Sequence, residues 1–365
     1  MRKIITLLTT AFLLTATTAL AQGPWNVGSY WGADNVIATF SNGTLTFTGE
    51  GKMTDFDDGH SSFCAPWKSI REQITSVVID KRITSIGDDA FNGCVNLTGS
   101  LPFHEGITWI GSGAFKNCSN LTGTLAIPQS VTTIRSSAFE NCSGLTGDLI
   151  IPEGVTEISF YTFSGCSGLN GILSIPAEVK TIFPYAFAEC EGLTGTLTLP
   201  EKITEIHRYA FAGCEGLTSS LIIPKGVTLI GEAAFAYCCG LTGSLTIPQS
   251  VTKIDNYAFI DCSGFTSISN YATTPQTINR NVFSGLTLSN ITLNVPAASL
   301  ALYQDAAVWK DFNVAGNLTS VDEVSTGDAV VVAYYSILGV KLSQEPQSGN
   351  YIVVYNNGKT EKRMK

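Results

Sequence analysis

Apolar residues recur along this chain with a period of 24 residues. No single unit can bury all of its apolar side chains, so neighbouring units are predicted to stack and to share one continuous core. In the unit from 187 to 209 the apolar positions are Phe187, Leu193, Leu197, Leu199, Ile203 and Ile206. Each unit opens with a phenylalanine, and in the first eight units a cysteine follows it three residues later. The ninth phenylalanine keeps the spacing but lacks the cysteine. The nine phenylalanines are Phe91, Phe115, Phe139, Phe163, Phe187, Phe211, Phe235, Phe259 and Phe283.

Two short strands are predicted in each unit. The alternation Leu197-Thr198-Leu199 has the period of a strand with one buried face, and Pro200 ends it because proline cannot donate a ladder hydrogen bond. A second extended piece, Val-Thr-x-Ile, follows and returns the chain along the opposite wall. Successive coils should align in parallel at about 4.8 Å each and span roughly 40 Å. In residues 101–104 the proline has moved forward by two positions, and we expect a distorted strand.

Residues 1–21 have the organisation of a secretory signal peptide. Arg2 and Lys3 precede an apolar run, which ends at the cleavage pattern Ala19-Leu20-Ala21. No later segment has the ~20 consecutive apolar residues of a membrane-spanning helix, so we expect a soluble, exported protein. Removal of the two cations changes the formal charge from −9 to about −11. A protein this acidic is not expected to bind nucleic acid.

The pattern Cys-x-Gly-Leu-Thr-Gly-x-Leu-x-Ile-Pro-x-x-Val-Thr-x-Ile-x-x-x-Ala-Phe resembles the BspA-like leucine-rich repeats of bacterial surface proteins. This resemblance implies a curved solenoid with a binding face. The predicted fold class is a β-rich (α+β) leucine-rich-repeat solenoid, in which stacked 24-residue coils form a parallel β-sheet. The flanking segments resemble the caps of such repeats, which implies an N-terminal β cap at 22–82, repeats at 83–288 and a C-terminal cap at 289–315. One short helix is expected within 297–309. Each unit is about one residue longer than the family's pattern, and the extra length lies in a segment that contains glycine. These glycines are Gly99, Gly123, Gly147, Gly195 and Gly243.

The end of the chain differs from the repeat. Residues 316–327 are polar and predict a linker. The segment 328–365 contains the apolar run 335–342, the run Gly349-Asn350-Tyr351-Ile352-Val353-Val354 and a lysine-rich end. It resembles the C-terminal sorting signal of the type IX secretion system, which implies recognition by outer-membrane secretion machinery and attachment at the cell surface. A small β appendage without a sorting role is the alternative interpretation.

The cysteines and histidines are the residues of this chain most suited to chemistry. Stacked neighbours would have Cβ atoms about 4.8 Å apart, longer than the ~3.8 Å of a disulfide, so buried thiols acting as small hydrophobes are expected. No Cys-x-x-Cys pair is present, and neither a metal nor another cofactor is expected. His60, His104 and His207 are dispersed without a nucleophile motif, and we predict that the protein is not an enzyme. A pair of turn carboxylates at glycosidase spacing is the remaining enzymatic alternative. The repeated cysteines are Cys94, Cys118, Cys142, Cys166, Cys190, Cys214, Cys238 and Cys262.

The outward positions of the predicted strands carry small and mostly uncharged side chains. Such a wide, flat surface suits contact with an extracellular protein or glycan, and we predict an adhesin-like binding protein that acts as a monomer. The β-propensity of a solvated sheet explains the same residues without a ligand. The alternative function is therefore a structural spacer or surface-layer element. The candidate ligand-binding positions are Thr124, Asp148, Ser174, Thr196, Thr198, Ser220, Ser244 and Thr246.

Overall fold

The computed structural model is a β-solenoid of about ten stacked turns with little helix, which confirms the predicted fold class. It describes residues 21–28, 34–57, 63–318, 331–336, 341–355 and 360–364. Apart from Ala21, the predicted signal peptide lies outside the described residues, as does most of the predicted linker.

A four-stranded sheet, here called the cap sheet, precedes the first coil. The 3₁₀ helix Lys68–Gln73 follows its third strand, and the buried Trp67 donates its indole N–H to the carbonyl of Ala90 at 2.7 Å. The ring of Phe47 meets Phe91 edge-on at 5.7 Å. These contacts cover the apolar end that the first coil of a solenoid would otherwise expose. The strands, in sheet order, are Gln22–Asn26, Asn35–Ser41, Thr44–Glu50 and Ser76–Ile79.

The Val-Thr-x-Ile segments form a row of two-residue strands, here called the second wall. Their pairing is parallel with a step of 24 residues, as in Glu205 with Leu229 and Ile206 with Ile230. The isoleucine points into the core and is buried in every coil. This part of the prediction is confirmed. The strands are Ser85–Ile86, Trp109–Ile110, Thr133–Ile134, Glu157–Ile158, Thr181–Ile182, Glu205–Ile206, Leu229–Ile230 and Lys253–Ile254.

The other row of strands, here called the face sheet, is less regular than predicted. Residues 125–127 and 197–199 form no strand, because pairing there involves residues just upstream. Gly123 pairs with Leu145, whereas Leu149 pairs with Leu173, so the step changes from 22 to 24 residues. Residues 101–104 also form no strand. The face-sheet strands are Gly123–Thr124, Leu145–Thr146, Leu149–Ile150, Leu173–Ser174, Gly195–Thr196, Leu217–Ile222, Leu241–Ile247, Phe265–Asn270, Thr292–Pro296 and Asn313–Leu318.

The irregularity has a backbone cause. The glycine that starts a Gly-x-Leu segment has a positive φ in every coil but that of Gly171, for example +86° at Gly123 and +82° at Gly195. Only glycine adopts this left-handed conformation without strain. An extra strand residue in this conformation forms a β-bulge, which displaces the hydrogen bonds of the ladder. Ser219 occupies the same position at φ +79°, and the register shifts beside it. In the coils with a positive φ at this position, the residue that lengthens the repeat is therefore the bulge residue.

The core is a column of nine phenylalanine rings, one from each unit. Adjacent rings are nearly parallel and their centroids are 5.1 to 5.7 Å apart, as between Phe187 and Phe211 at 5.3 Å. The column ends where Trp309 and Phe312 meet Phe283 edge-on, at 5.8 and 5.3 Å. Beside it, the eight repeated cysteines are buried thiols, as predicted. Seven donate to a phenylalanine carbonyl 27 residues earlier, at 3.0 to 3.2 Å, which links adjacent coils.

The closing cap contains the α-helix Leu300–Asp305, which is shorter than the expected helix because Ala306 is extended. The buried Tyr303 donates its hydroxyl to the carbonyl of Ala272 at 2.9 Å, so the cap is tied to the preceding coil. The last face-sheet strand continues to Leu318, past residue 316 where the linker was placed, because it pairs with Thr292–Pro296. The remaining 3₁₀ helices are Arg280–Phe283, Leu288–Asn290, Ala297–Ser299 and Trp309–Asp311.

The segment predicted as a small C-terminal β region forms an antiparallel sheet, here called the C-terminal sheet. Its side chains alternate between two faces, since Ile352 and Val354 belong to one apolar cluster and Tyr351 and Val353 to another. In sheet order the strands are Lys341–Leu342, Val331–Ser336, Asn350–Tyr355 and Thr360–Met364.

Candidate functional site

Six of the eight candidate positions have solvent access; five of them lie in face-sheet strands, and Thr198 follows the strand Gly195–Thr196. Thr124, Thr196 and Ser220 are exposed, whereas Thr198, Ser244 and Thr246 are half-buried. Neighbouring coils are connected through these side chains: the hydroxyl of Ser219 contacts that of Thr196 at 3.2 Å, and the amide of Ser244 donates to Ser220 Oγ at 3.1 Å. This part of the face therefore presents hydroxyl groups on a hydrogen-bonded framework.

The other two candidates, Asp148 and Ser174, are buried, with 7% and 0% of their surface exposed. Both belong to a stretch of the face sheet that contacts the C-terminal sheet. Ile150 and Ile172, outward residues on the same stretch, pack against Tyr335, Ile352 and Val354. We refer to Asp148, Ile150 and Ile172 as the central patch. Sequence reasoning assigned this patch to solvent, but the chain's own C-terminal sheet covers it.

A carboxylate anchors this contact. Asp148 Oδ1 accepts the amide of Ile172 at 2.7 Å, and Oδ2 accepts the hydroxyl of Tyr335. Burial and the neighbouring carboxylate both raise the pKa of Tyr335, because each disfavours the phenolate. Gly171 permits the close approach, since a Cβ there would lie 2.2 Å from Asp148 Oδ1. The tyrosine is thus held as a neutral hydrogen-bond donor.

An aromatic ladder on the solenoid surface was missed by the sequence reasoning. Tyr161, Tyr185 and Tyr209 stack with centroids 4.6 and 4.7 Å apart, and Arg208 lies 5.9 Å above the ring of Tyr185. Each tyrosine has a positive φ of 56 to 61°, an unusual conformation for a bulky side chain. The signal was visible as a tyrosine two residues before the phenylalanine in three successive units. Its exposure depended on the geometry of the turn.

The charged side chains of the repeat turns form ion pairs between adjacent coils. Lys202 contacts Glu178 at 2.5 Å, which lowers the pKa of that exposed carboxyl, and Lys116 contacts Glu140 at 2.9 Å. His207 lies 3.7 Å from Glu205 on the solenoid surface. Within the described residues, no group of three or more His, Cys, Asp or Glu side chains is placed to hold a metal ion. The two lysine–glutamate pairs connect adjacent coils, whereas His207 and Glu205 belong to the same coil.

Three solved structures of bacterial proteins are similar to this chain. A leucine-rich repeat protein from Eubacterium ventriosum is 23% identical, covering 73% of this chain and 76% of its own, with a TM-score of 0.44. A leucine rich cell surface protein from Faecalibacterium prausnitzii is 23% identical, covering 71% and 92%, with a TM-score of 0.33. The pneumococcal vaccine antigen PcpA is 17% identical, covering 82% and 100%, with a TM-score of 0.37. No curated protein shows significant similarity.

The family profile described as "BspA type Leucine rich repeat region (6 copies)" matches residues 69–194 and 193–306. These matches cover more than half of the sequence and coincide with the stacked coils and the start of the closing cap. Across the described residues, every helix is too short or too polar to cross a membrane. The chain therefore belongs to the BspA-type leucine-rich-repeat family.

Proposed function

We propose that this protein is a secreted, adhesin-like binding protein of the cell surface that recognises an extracellular protein or glycan through the face sheet. Proteins of this repeat family are typically surface proteins and are non-enzymatic. The observation that carries the proposal is the row of hydroxyl side chains at Thr196, Thr198, Ser220 and Thr246. Thr196, Ser220 and Thr246 lie in a six-stranded parallel ladder that spans 195–318, and Thr198 lies two residues beyond Thr196.

This ladder suits recognition for a physical reason. Its strands are held in register by main-chain hydrogen bonds and by the side-chain contacts between adjacent coils, so the outward hydroxyl groups keep fixed spacings. A preordered surface loses little conformational entropy when a ligand binds. Hydroxyl groups both donate and accept hydrogen bonds, which suits the backbone of a protein as well as the hydroxyl groups of a glycan.

Four lysines in place of the outward hydroxyl side chains should weaken binding. The variant Thr196→Lys/Thr198→Lys/Ser220→Lys/Thr246→Lys replaces short neutral side chains by long cations across the proposed site. We expect its affinity for whichever ligand the native chain binds on arrays of extracellular-matrix proteins and glycans to fall at least about tenfold, equivalent to ~1.4 kcal/mol. Surface plasmon resonance on the array hits measures the change.

The matched control places the same four charges on the second wall, at the exposed positions Thr156, Thr204, Thr228 and Thr252. This control should keep its affinity within about twofold, because exposed charges far from the site change the binding free energy little. Equal losses in both variants would contradict the assignment to the face sheet. If the native chain binds nothing on either array, the spacer or surface-layer alternative is favoured instead.

We propose further that the segment 328–365 directs the protein to outer-membrane secretion machinery, as its resemblance to a sorting signal implies. The described residues of this segment form a compact sheet of their own, a unit that a receptor can recognise.

Deletion of 328–365 should leave the protein inside the cell envelope, and surface proteolysis of intact cells measures this. Replacing Gln344 and Gln347 by lysine, both exposed and outside the run 349–354, is the control and should leave export unchanged. Normal surface exposure of the truncated chain would contradict the role.

A further inference from the structure

We propose that the central patch of the face sheet is a docking site for protein β-structure, and that the C-terminal sheet is its resident occupant and a competitor for the external ligand. This inference rests on the proposed function of the face sheet and names its partner class. It begins from the contact already described, in which Tyr335, Ile352 and Val354 cover Ile150 and Ile172.

The composition of the patch distinguishes it from the rest of the face. At the outward positions equivalent to Ile150, successive coils carry Ala126, Ser174, Thr198, Ile222 and Thr246. At those equivalent to Ile172, they carry threonine, serine or Asp148. Two isoleucines on adjacent coils therefore form an apolar pair within a hydroxyl-rich surface. An apolar pair ringed by polar groups is the composition of a protein-binding hot spot.

The resident occupant indicates the class of partner. It presents Ile352, Val354 and Tyr335 from two adjacent antiparallel strands, with Tyr335 opposite Ile352. The aliphatic side chains fill the apolar pair, and the tyrosine hydroxyl donates to Asp148. A β-ribbon with alternating aliphatic residues and one hydroxyl donor satisfies every group of the patch. A glycan has no aliphatic side chains to fill it.

The cover extends over only part of the face. Ile222, on the same row as Ile150 but three coils further, keeps 39% of its surface exposed. Thr196 and Ser220 are exposed as well. An extracellular protein can thus engage the open coils while the C-terminal sheet still holds the central patch. Full engagement of the patch requires that protein to displace the C-terminal sheet.

The first experiment tests the contact itself in the full chain. A mild thiol oxidant is applied to the variant Ile150→Cys/Ile352→Cys, with Cys64 and Cys239 replaced by serine, because the two new thiols would lie in one buried cluster and could join as a disulfide. The matched control carries Ile222→Cys in place of Ile150→Cys. We expect an intramolecular crosslink, mapped by mass spectrometry, at least tenfold more abundant in the first variant than in the control. Equal yields, or a crosslinked dimer, would overturn the intramolecular cover.

The second experiment releases the cover while leaving the patch intact. Ile352→Lys/Val354→Lys places charges on the solenoid-facing side of the C-terminal sheet, and the cluster of Tyr351 and Val353 on its other side is retained. The native chain, this variant and the control Gln344→Lys/Gln347→Lys, which changes exposed residues of the turn before the strand Asn350–Tyr355, are screened on arrays of extracellular-matrix proteins and glycans. We expect at least a tenfold gain in signal on a protein for the released variant alone. Adding Ile150→Lys and Ile172→Lys should remove that gain.

The outcomes separate this inference from the proposed function. If native and released chains bind a protein equally, and the face-sheet lysine variant loses binding, the competition is refuted while the proposed function stands. A gain confined to glycans refutes the partner class. If neither chain binds any array ligand, the inference and the proposed function both fail, even where the crosslink shows that the cover exists.

Discussion

Replacement of Phe187 by alanine is expected to destabilise the solenoid by about 3–5 kcal/mol. Its ring is fully buried and lies between those of Phe163 and Phe211, with centroids 5.6 and 5.3 Å away. Removing it leaves a cavity in the middle of the column, which the coils above and below cannot fill because main-chain ladders fix their spacing. Urea denaturation followed by circular dichroism measures the loss.

Phe160→Ala is the matched control. This ring also stacks on a neighbour, Phe183 at 4.7 Å, but 42% of its surface is exposed. Its loss should change the unfolding free energy by no more than about 1 kcal/mol. In a repeat protein each coil is stabilised mainly by its neighbours, so Phe187→Ala should also broaden or split the unfolding transition. Equal effects from the two substitutions would contradict a stability that depends on the buried column.

Alkaline pH is expected to unfold the protein because of its buried thiols. Burial raises the pKa of seven repeated cysteines, to about 12 for Cys166 and Cys214, since a thiolate in the core would be desolvated. In the unfolded chain a thiol has a pKa of about 8.5. The folded state holds these protons more firmly. The stability that the protonated thiols contribute is therefore complete below about pH 8.5 and disappears as the pH rises towards the folded pKa.

The expected slope is steep. Each such thiol lowers the unfolding free energy by up to about 1.4 kcal/mol per pH unit, and seven together by up to roughly 10 kcal/mol. A domain stabilised by about 5–15 kcal/mol should therefore unfold within one to two pH units above 8.5. Circular dichroism between pH 7 and 11, in the presence of a reductant, measures the transition.

The control for this prediction is Cys166→Ser/Cys190→Ser/Cys214→Ser. A serine hydroxyl does not ionise in this range and can donate to the same phenylalanine carbonyl. The triple variant is expected to be less stable at neutral pH, with a slope shallower by up to about 4 kcal/mol per pH unit. An unchanged slope would contradict the role of the thiols.

Titration of thiols in denaturant should count all ten cysteines, and fewer than eight would indicate disulfides between coils.

Most of the solenoid could be predicted because its determinants are local and repeated. The 24-residue spacing of phenylalanine and cysteine requires equivalent positions in successive coils, and parallel stacking is the arrangement that buries them all. The second wall followed from the Val-Thr-x-Ile segment, where the isoleucine had to face the core. The exclusion of inter-coil disulfides followed from the strand spacing. Each of these conclusions needed only one unit and its neighbour.

The face sheet could be predicted only in part. The Leu-x-Leu alternation correctly indicated which side chains point inward, since Leu197 and Leu199 are buried. It did not indicate which residues make ladder hydrogen bonds, because in most coils a positive-φ residue two positions before the first leucine displaces the pairing. A glycine in the sequence permits a bulge but does not require one. Gly171 occupies the same position in another coil and its φ is not positive.

The sequence by itself determined the repeat, the column of phenylalanine rings, the buried thiols and the row of outward hydroxyl groups. Tertiary structure alone decided which part of that row is open. Tyr335 and Asp148 are 187 residues apart, and no local pattern in either segment indicates the other. Their contact depends on a β-sheet and a solenoid that must both be folded before their surfaces can match. The hydroxyl row is therefore a property of the repeat, and its covered centre is a property of the whole chain.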